Sequence, residues 1–298
     1  MARKAVKYDR TAEDLGNIVG LEHLNLLVPD QRLAMIFYIG GLGLTRDPYM
    51  QTGPGNMWIN IGDNQFHLPT RGTQVMRGTV GLVLPDLKNL VERLKSVKKD
   101  LTGTKFGFKA TKGARCVEVT CPWGNRIRCH AAGKSTAPIV LGMSYAQFDV
   151  PVGVAEGIAK FYREIMGANV KMGRWESATA ARVSAGYRQE LIFSETRKKI
   201  AEFDGHHIQI YLANFSGPYK NLLERSLITQ ESNQHQYRFI DIVDPKDGKL
   251  LFNLDHEVRS MTHPMYGRSK LNRNPDQSNE LFARGHETQA WLASATGS

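Results

Sequence analysis

Residues 20–29 (GLEHLNLLVP) alternate apolar and polar side chains, and the pattern returns at 78–85 (GTVGLVLP), 142–151 (GMSYAQFDVP) and 205–212 (GHHIQIYL). Period two puts alternate residues on opposite faces of a strand. One row is apolar: Leu24, Leu26 and Val28; Val80, Leu82 and Leu84; Ala146, Phe148 and Val150; Ile208, Ile210 and Leu212. The other row carries His23 and Asn25, Thr79, Tyr145 and Gln147, and His207 and Gln209, so any chemistry belongs on that face.

After each opening strand the period changes toward 3.6 and then back to two. In the first unit a turn at Pro29-Asp30 leads into a helix over 32–41, with Leu33, Ile36 and Phe37 on one side. Gly40, Gly41 and Gly43 follow the helix, so they read as its C-cap and not as a phosphate cradle. Short strands are expected at 44–46, 57–61 and 65–68, separated by Gly53-Pro54-Gly55 and Gly62-Asp63-Asn64. The second unit repeats the plan: a strand over 79–84, a helix over 87–97, and strands at 106–110, 116–120 and 126–130.

The third unit superposes on the first by an offset of 122 for Gly20, Leu21, Val28 and Pro29, and of 124 for Phe37, Tyr38, Gly43, Gly62 and Gln65. Its helix, over 155–166, spaces Ile158, Phe161 and Ile165 as one face. The fourth unit has a helix near 219–226 and strands at 237–243 and 250–254 around the turn DPKDG. Internal repetition of this kind is the architecture. It predicts an α+β fold of tandem βαβββ units forming two cup-shaped mixed sheets with helices outside. Small and polar residues at 131–138 mark the division between domains at 20–132 and 139–257. Residues 1–19 are an N-terminal extension and 258–298 a C-terminal arm.

Composition narrows the function. The 298 residues are 41% hydrophobic, and no apolar run is long enough to span a membrane. The first residues are basic but include Asp9, Glu13 and Asp14 and lack an apolar core, so a secretory leader is not expected and the cytoplasm is. Cys116, Cys121 and Cys129 fall within one short stretch, which suits reduced thiols better than a disulfide framework or a zinc module. The net charge of +10 is spread along the chain, which argues against nucleic acid and leaves an anionic small molecule as a candidate ligand; a homodimer stays open.

Four strand-helix-three-strand units, WGNRIR and DPKDGKLLF before closing strands, and GHHIQIYL opening the last unit resemble the vicinal oxygen chelate superfamily of glyoxalases, extradiol dioxygenases, and bleomycin- and fosfomycin-resistance proteins. The resemblance covers about residues 20–257. It implies cups built from two units, each able to hold a divalent metal that binds adjacent substrate oxygens. It also implies ligand positions on the opening and closing strands: His23, Thr79, Tyr145 and His207, and His67, Arg128, Leu191 and Phe252. With Phe252 in place, the superfamily's usual closing-strand glutamate is missing, unless a shifted strand brings in Asp255, His256 or Glu257.

If units pair in chain order, the histidines are split between cups; if the first pairs with the fourth, His23, His67 and His207 meet in one. The second arrangement is favoured, because three neutral imidazoles would hold iron, manganese, zinc, cobalt or nickel with positions left for substrate. Asn25 and Gln209, two residues along on the same face, are candidate substrate contacts; Arg126 and Arg128 form a candidate anion site; Tyr145 is a candidate catalytic phenol or a packing residue. His206 faces the other way by parity and reads as structural. The expectation is a metal-dependent glyoxalase- or dioxygenase-like enzyme, an extradiol-type oxidoreductase or a lyase, acting on a small oxygen-rich or aromatic molecule. The alternative is a metal-free binding protein that sequesters its ligand.

Overall fold

The computed structural model describes residues 8–48, 55–110, 115–133 and 139–270. Gly53 and Pro54 of one expected turn, residues 134–138 of the expected division, and the outer parts of both terminal segments lie outside the described residues.

Unit one comprises β1 (Ile18–Asn25), α1 (Gln31–Ala34) continuing as a π-helical stretch (Met35–Gly41), β2 (Thr45–Arg46), β3 (Asn56–Ile61) and β4 (Asn64–Pro69). Unit two comprises β5 (Gly78–Leu84), α2 (Leu87–Ser96), β6 (Gly107–Ala110), β7 (Cys116–Thr120) and β8 (Arg126–Ala131). Unit three comprises β9 (Gly142–Pro151), α3 (Ala155–Glu164), β10 (Val170–Trp175), β11 (Ala178–Ser184) and β12 (Glu190–Thr196). Unit four comprises β13 (His207–Leu212), α4 (Ser216–Leu223), β14 (Ile228–Asn233), β15 (Gln236–Val243) and β16 (Leu250–Ser260).

The repeated Pro-Asp that ends the first two opening strands has a direct role. Asp30 and Asp86 each accept a backbone N–H of the following helix, from Leu33 and Asn89, both at 2.9 Å. Such caps satisfy donors that have no partner within the helix. Of the three glycines expected to follow the first helix, only Gly43 does, left-handed at φ +73°, while Gly40 and Gly41 belong to its π-helical last turn. Both lie flat against Val97, where an added Cβ would sit 3.2 and 3.3 Å from its methyl groups.

Two eight-stranded mixed sheets result, in the orders β14-β15-β16-β13-β1-β4-β3-β2 and β10-β11-β12-β9-β5-β8-β7-β6. Units one and four share the first sheet, units two and three the second. The sheets therefore cut across the expected division into 20–132 and 139–257. The reason is edge pairing: β1 meets β13 antiparallel and β5 meets β9 antiparallel, each pair closing two four-stranded halves into a cup.

The apolar rows of all four opening strands are buried on the convex faces, in one continuous core that the helices complete. The helices thus lie outside the cups. Contacts of Phe252 with Phe148 and Phe193 tie the two sheets back to back, and Tyr162 of α3 adds a hydrogen bond with His256. Among the described residues no helix is long and apolar enough to cross a membrane. Two strands depart from expectation: β14 precedes the two foreseen in unit four, and β16 runs on to Ser260, six residues past the expected end.

Candidate metal centre

The first cup is organised by register. Across the β1–β13 seam His23 stands opposite Gln209 and Asn25 opposite His207. On the flanks, β4 sets Gln65 beside His23 and His67 beside Asn25, while β16 sets Asp255 beside His207 and Glu257 beside Gln209. The two halves match by a pseudo-twofold relation: His23, Asn25 and His67 on one side, His207, Gln209 and Glu257 on the other. One ring nitrogen from each of His23, His67 and His207 lies within 4.8 Å of the others. The centroid of the His23 ring is 5.8 Å from that of His67 and 5.7 Å from that of His207.

Glu257, which the sequence admits only through a shifted strand, sits where the closing-strand ligand was sought. Its Oε2 is 3.5 Å from His207 Nε2. Phe252 is in the core instead, 4% exposed, and cannot reach the cup. The signal was present in the alternation of LLFNLDHEVRS: Phe252, Leu254, His256 and Val258 form the core row, so Asn253, Asp255, Glu257 and Arg259 form the cup row.

A second carboxylate enters through a β-bulge. Between Leu21 and His23 β1 advances two residues while β13 advances one, so Glu22 is the extra residue and leaves the apolar row. Its Oε2 accepts a hydrogen bond from His23 Nδ1 at 3.1 Å. That bond assigns the proton to Nδ1 and leaves the Nε2 lone pair free. Nε2 of His23 and of His67 are both buried with no hydrogen-bond partner, as are Asn25 Oδ1 and both side-chain polar atoms of Gln209. Buried polar atoms ordinarily find partners, and these five all belong to the inward row of this cup.

Burial keeps the imidazoles of His23 and His67 uncharged. Burial pulls His23 down to about 4, against the opposing pull of Glu22 and Glu257, and pulls His67 down to about 2, assisted by the neighbouring imidazoles. Trp58 stacks on the His67 ring at 3.8 Å and 11° and fixes its plane. Burial alone would raise the Glu22 and Glu257 carboxyls, but Lys270 and Arg259 beside the first, and Arg259, His207 and Arg238 beside the second, hold both below the usual range. Arg238 hydrogen-bonds Glu257 and Asp255, and Arg259 Nη2 lies 2.6 Å from Glu257 Oε1 and its Nη1 3.4 Å from Glu22 Oε2. Alternating charges therefore run through the cup from Lys270 to Asp255.

The expected arm begins as the end of β16 and then, over residues 261–270, crosses the mouth of this cup. Met265 packs on Trp58, and Tyr266 meets Tyr211 edge-on at 4.8 Å. Arg268, fully buried, donates to Asp47 Oδ2 at 2.6 Å and to Gln65 Oε1 at 3.2 Å. Beside this strap and β1 is a cavity of about 700 Å³, with Glu22, Tyr211 and Lys270 in its wall.

The second cup holds the remaining candidates and brings no ligand set together. Tyr145 Oη is 2.9 Å from His130 Nε2. Burial raises Tyr145 above the usual phenol range, and burial followed by Arg128 lowers His130, so the pair is held neutral, the phenol donating to the imidazole. Arg128 Nη1 binds Glu176 Oε1 at 2.5 Å and Arg126 Nη2 binds Asp149 Oδ2 at 2.8 Å, which commits both cations of the expected anion site to carboxylates. Leu191 is in the core and Ile192 faces the cup. The offset of 124 slipped by one: Asn64 and Gln189 play the same part, both binding Leu21 and Met143, so the true offset there is 125, and a slip of one reverses the face. His206 is on the convex side, its Nδ1 donating to Asp204 at 2.6 Å, as its parity required.

No protein-family model matches the sequence, and no curated protein sequence matches it. Solved structures do. A Bacillus subtilis subsp. subtilis str. 168 protein named as a candidate dioxygenase is 15% identical, covering 89% of this chain and 89% of that one, at TM-score 0.57. Glyoxalase I from Zea mays is 15% identical, covering 82% of this chain and 92% of its own, also at 0.57. A mutant form of that Zea mays enzyme aligns at 16% identity, with the same two coverages, at 0.56. Identities this low speak for the fold alone, and they agree with the four units and two cups traced above: the chain shares the fold of these proteins.

Proposed function

We propose that this protein is a divalent-metal-dependent enzyme of glyoxalase or dioxygenase type, acting in its first cup on a small molecule with adjacent oxygen atoms. The observation that carries the reading is the meeting of His23, His67 and His207, donor atoms within 4.8 Å, with two Nε2 atoms buried and unpartnered. Two ligands about 2.1 Å from one ion lie at most about 4.2 Å apart, so small side-chain adjustments close the set. His23, His67, His207 and Glu257 would hold the ion. Nitrogen and carboxylate donors of this kind suit manganese, iron, cobalt, nickel or zinc. Such an ion supplies Lewis acidity toward substrate oxygens.

The chain's own groups do the rest. Glu22 keeps the His23 proton on Nδ1, and ligands held this way by a carboxylate bind more strongly. Asn25 and Gln209 offer hydrogen-bonding atoms on the floor with which to orient a substrate. The strap over 261–270 excludes water from one side, and the cavity beside it gives a route in past Glu22 and Lys270.

One observation favours the alternative of a metal-free binding protein: Arg238 lies on Glu257 and 3.4 Å from His207 Nε2, filling part of the cup with a cation of its own. Elemental analysis of tag-free protein prepared without chelator separates the two readings. The enzyme reading expects about one divalent transition-metal ion per chain. Protein that carries no metal and takes up none of the five ions on addition would overturn it.

A further inference from the structure

The second cup carries a site that the proposed metal chemistry does not use. Next to it is a cavity of about 860 Å³, within the range of small-molecule pockets. Its aromatic wall is fixed in place. Tyr145 is pinned through its hydroxyl to His130 and rests against Gly81, where an added Cβ would come within 2.1 Å of the ring. Trp175 stands edge-on to Tyr145 at 4.9 Å. Ala180 and Ile192, fully buried, pack with these two rings as a cluster separate from the main core and so back the aromatic wall. On the wall Arg182 makes a two-pronged contact with Glu190 Oε2, at 3.2 and 2.5 Å, with its guanidinium 5.9 Å from the Trp175 ring.

The opposite wall is the segment before β1. Asn169 Nδ2 donates to Asp14 O at 2.8 Å and Asn17 N to Gly167 O at 3.1 Å, which holds that segment against unit three. Lining charges balance: Lys171, Arg182 and Arg188 face Glu13, Asp14 and Glu190. A charge-balanced, aromatic-walled cavity selects against ions and for flat apolar rings that carry a hydrogen-bonding group.

We infer that the second cup binds an uncharged aromatic molecule of one or two rings bearing a hydroxyl or carbonyl group, independently of the metal cup. The rings lie against Tyr145 and Trp175, and the polar group meets the Arg182–Glu190 pair. This site does not depend on the proposed metal reading.

The test is calorimetric titration of the full-length chain with 2-naphthol. Saturable binding in the micromolar to millimolar range is expected, as suits a ligand of this size. Trp175→Ala, which removes a wall, and Ser184→Trp, which fills the cavity from β11, should each weaken binding at least about tenfold. His23→Ala should leave it unchanged. Circular dichroism checks that the variants fold, and two variants of opposite effect on volume guard against one failing to fold. The inference is overturned by absence of binding at millimolar 2-naphthol. Loss of binding in His23→Ala with retention in Ser184→Trp overturns it as well, since the ligand would then sit in the metal cup. Binding of 2-naphthoate at least about tenfold tighter than 2-naphthol would refute the uncharged class.

Discussion

The two cups share a backbone and differ at four positions that decide their chemistry. Registers equate His23 with Tyr145, His207 with Thr79, His67 with Ile192 and Glu257 with Arg128. In the first cup the polar atoms at these and adjoining positions include five buried orphans. In the second none of Tyr145, His130, Gln147 or Arg128 contributes one: Tyr145 binds His130, Gln147 binds Asp149 and Arg128 binds Glu176. The position of Gln209 is taken by Gly81, and the Tyr145 ring lies over the space so vacated. A scaffold of this kind determines where side chains converge, and the residues there determine whether they satisfy one another or wait for a ligand.

The largest expected contrast is in metal. If the proposed centre holds, His23→Ala, His67→Ala and His207→Ala should each reduce bound metal to below about a tenth of the wild-type ratio, because three ligands on separate strands would act as one site. Tyr145→Ala and Thr79→Ala, at equivalent positions of the other cup, should leave it unchanged. Elemental analysis of the five purified proteins checks this, and equal losses in both groups would break the comparison.

Glu257 and Phe252 sharpen it next. Glu257→Gln keeps the shape but removes the carboxylate, so metal affinity should fall by more than about tenfold, read by competition with a chelating dye. Phe252→Ala should cost about 3–5 kcal/mol of stability in denaturant unfolding, as loss of a buried aromatic does, without changing the metal ratio of the folded fraction. Glu22→Gln should weaken metal binding by about 10–100-fold by loosening the hold on His23 Nδ1.

These paired variants also mark how far the sequence could be read. Units, opening strands and their polar rows were legible because period two and Pro-Asp caps are local signals. The meeting of units one and four was foreseen only because three histidines otherwise have no common place. Glu257 and Ile192 were missed as cup positions through register. A strand thought to stop at Leu254 hid the cup row that continues to Arg259, and one uncounted residue between Gly62/Asn64 and Gly186/Gln189 put Leu191 on the wrong face. Glu22 could not be found by alternation, since a bulge breaks the alternation it would be read from. The strap over 261–270 has no periodicity, and its partners Asp47, Gln65 and Trp58 lie some two hundred positions away.

Gly81→Ala tests the packing side of the comparison. The new Cβ would meet the Tyr145 ring, so a loss of about 1–3 kcal/mol is expected in chemical denaturation. Combining it with Tyr145→Ala should recover part of that loss, because the clash then has no second member. Additive losses would mean that Tyr145 does not rest on the glycine.

The smallest effect is expected at Arg126. Its pair with Asp149 spans 2.8 Å, yet the two side chains are 53% and 33% exposed. Water and salt compete for both groups, so the pair is worth about 0.2–1 kcal/mol and a Debye length of about 10 Å at 0.1 M salt screens what lies beyond it. Arg126→Ala should therefore shift stability by less than about 1 kcal/mol, and less still at high salt. Arg126 also donates through Nε to Gly78 O at 3.1 Å, so its guanidinium is held between a carbonyl and a carboxylate with little left for an incoming anion. Titration of wild-type protein with inorganic phosphate should accordingly give no saturable binding that Arg126→Ala abolishes. Binding that this substitution does abolish would show that the second cup recruits anions by releasing Asp149, and that the two cups share more chemistry than their resting contacts indicate.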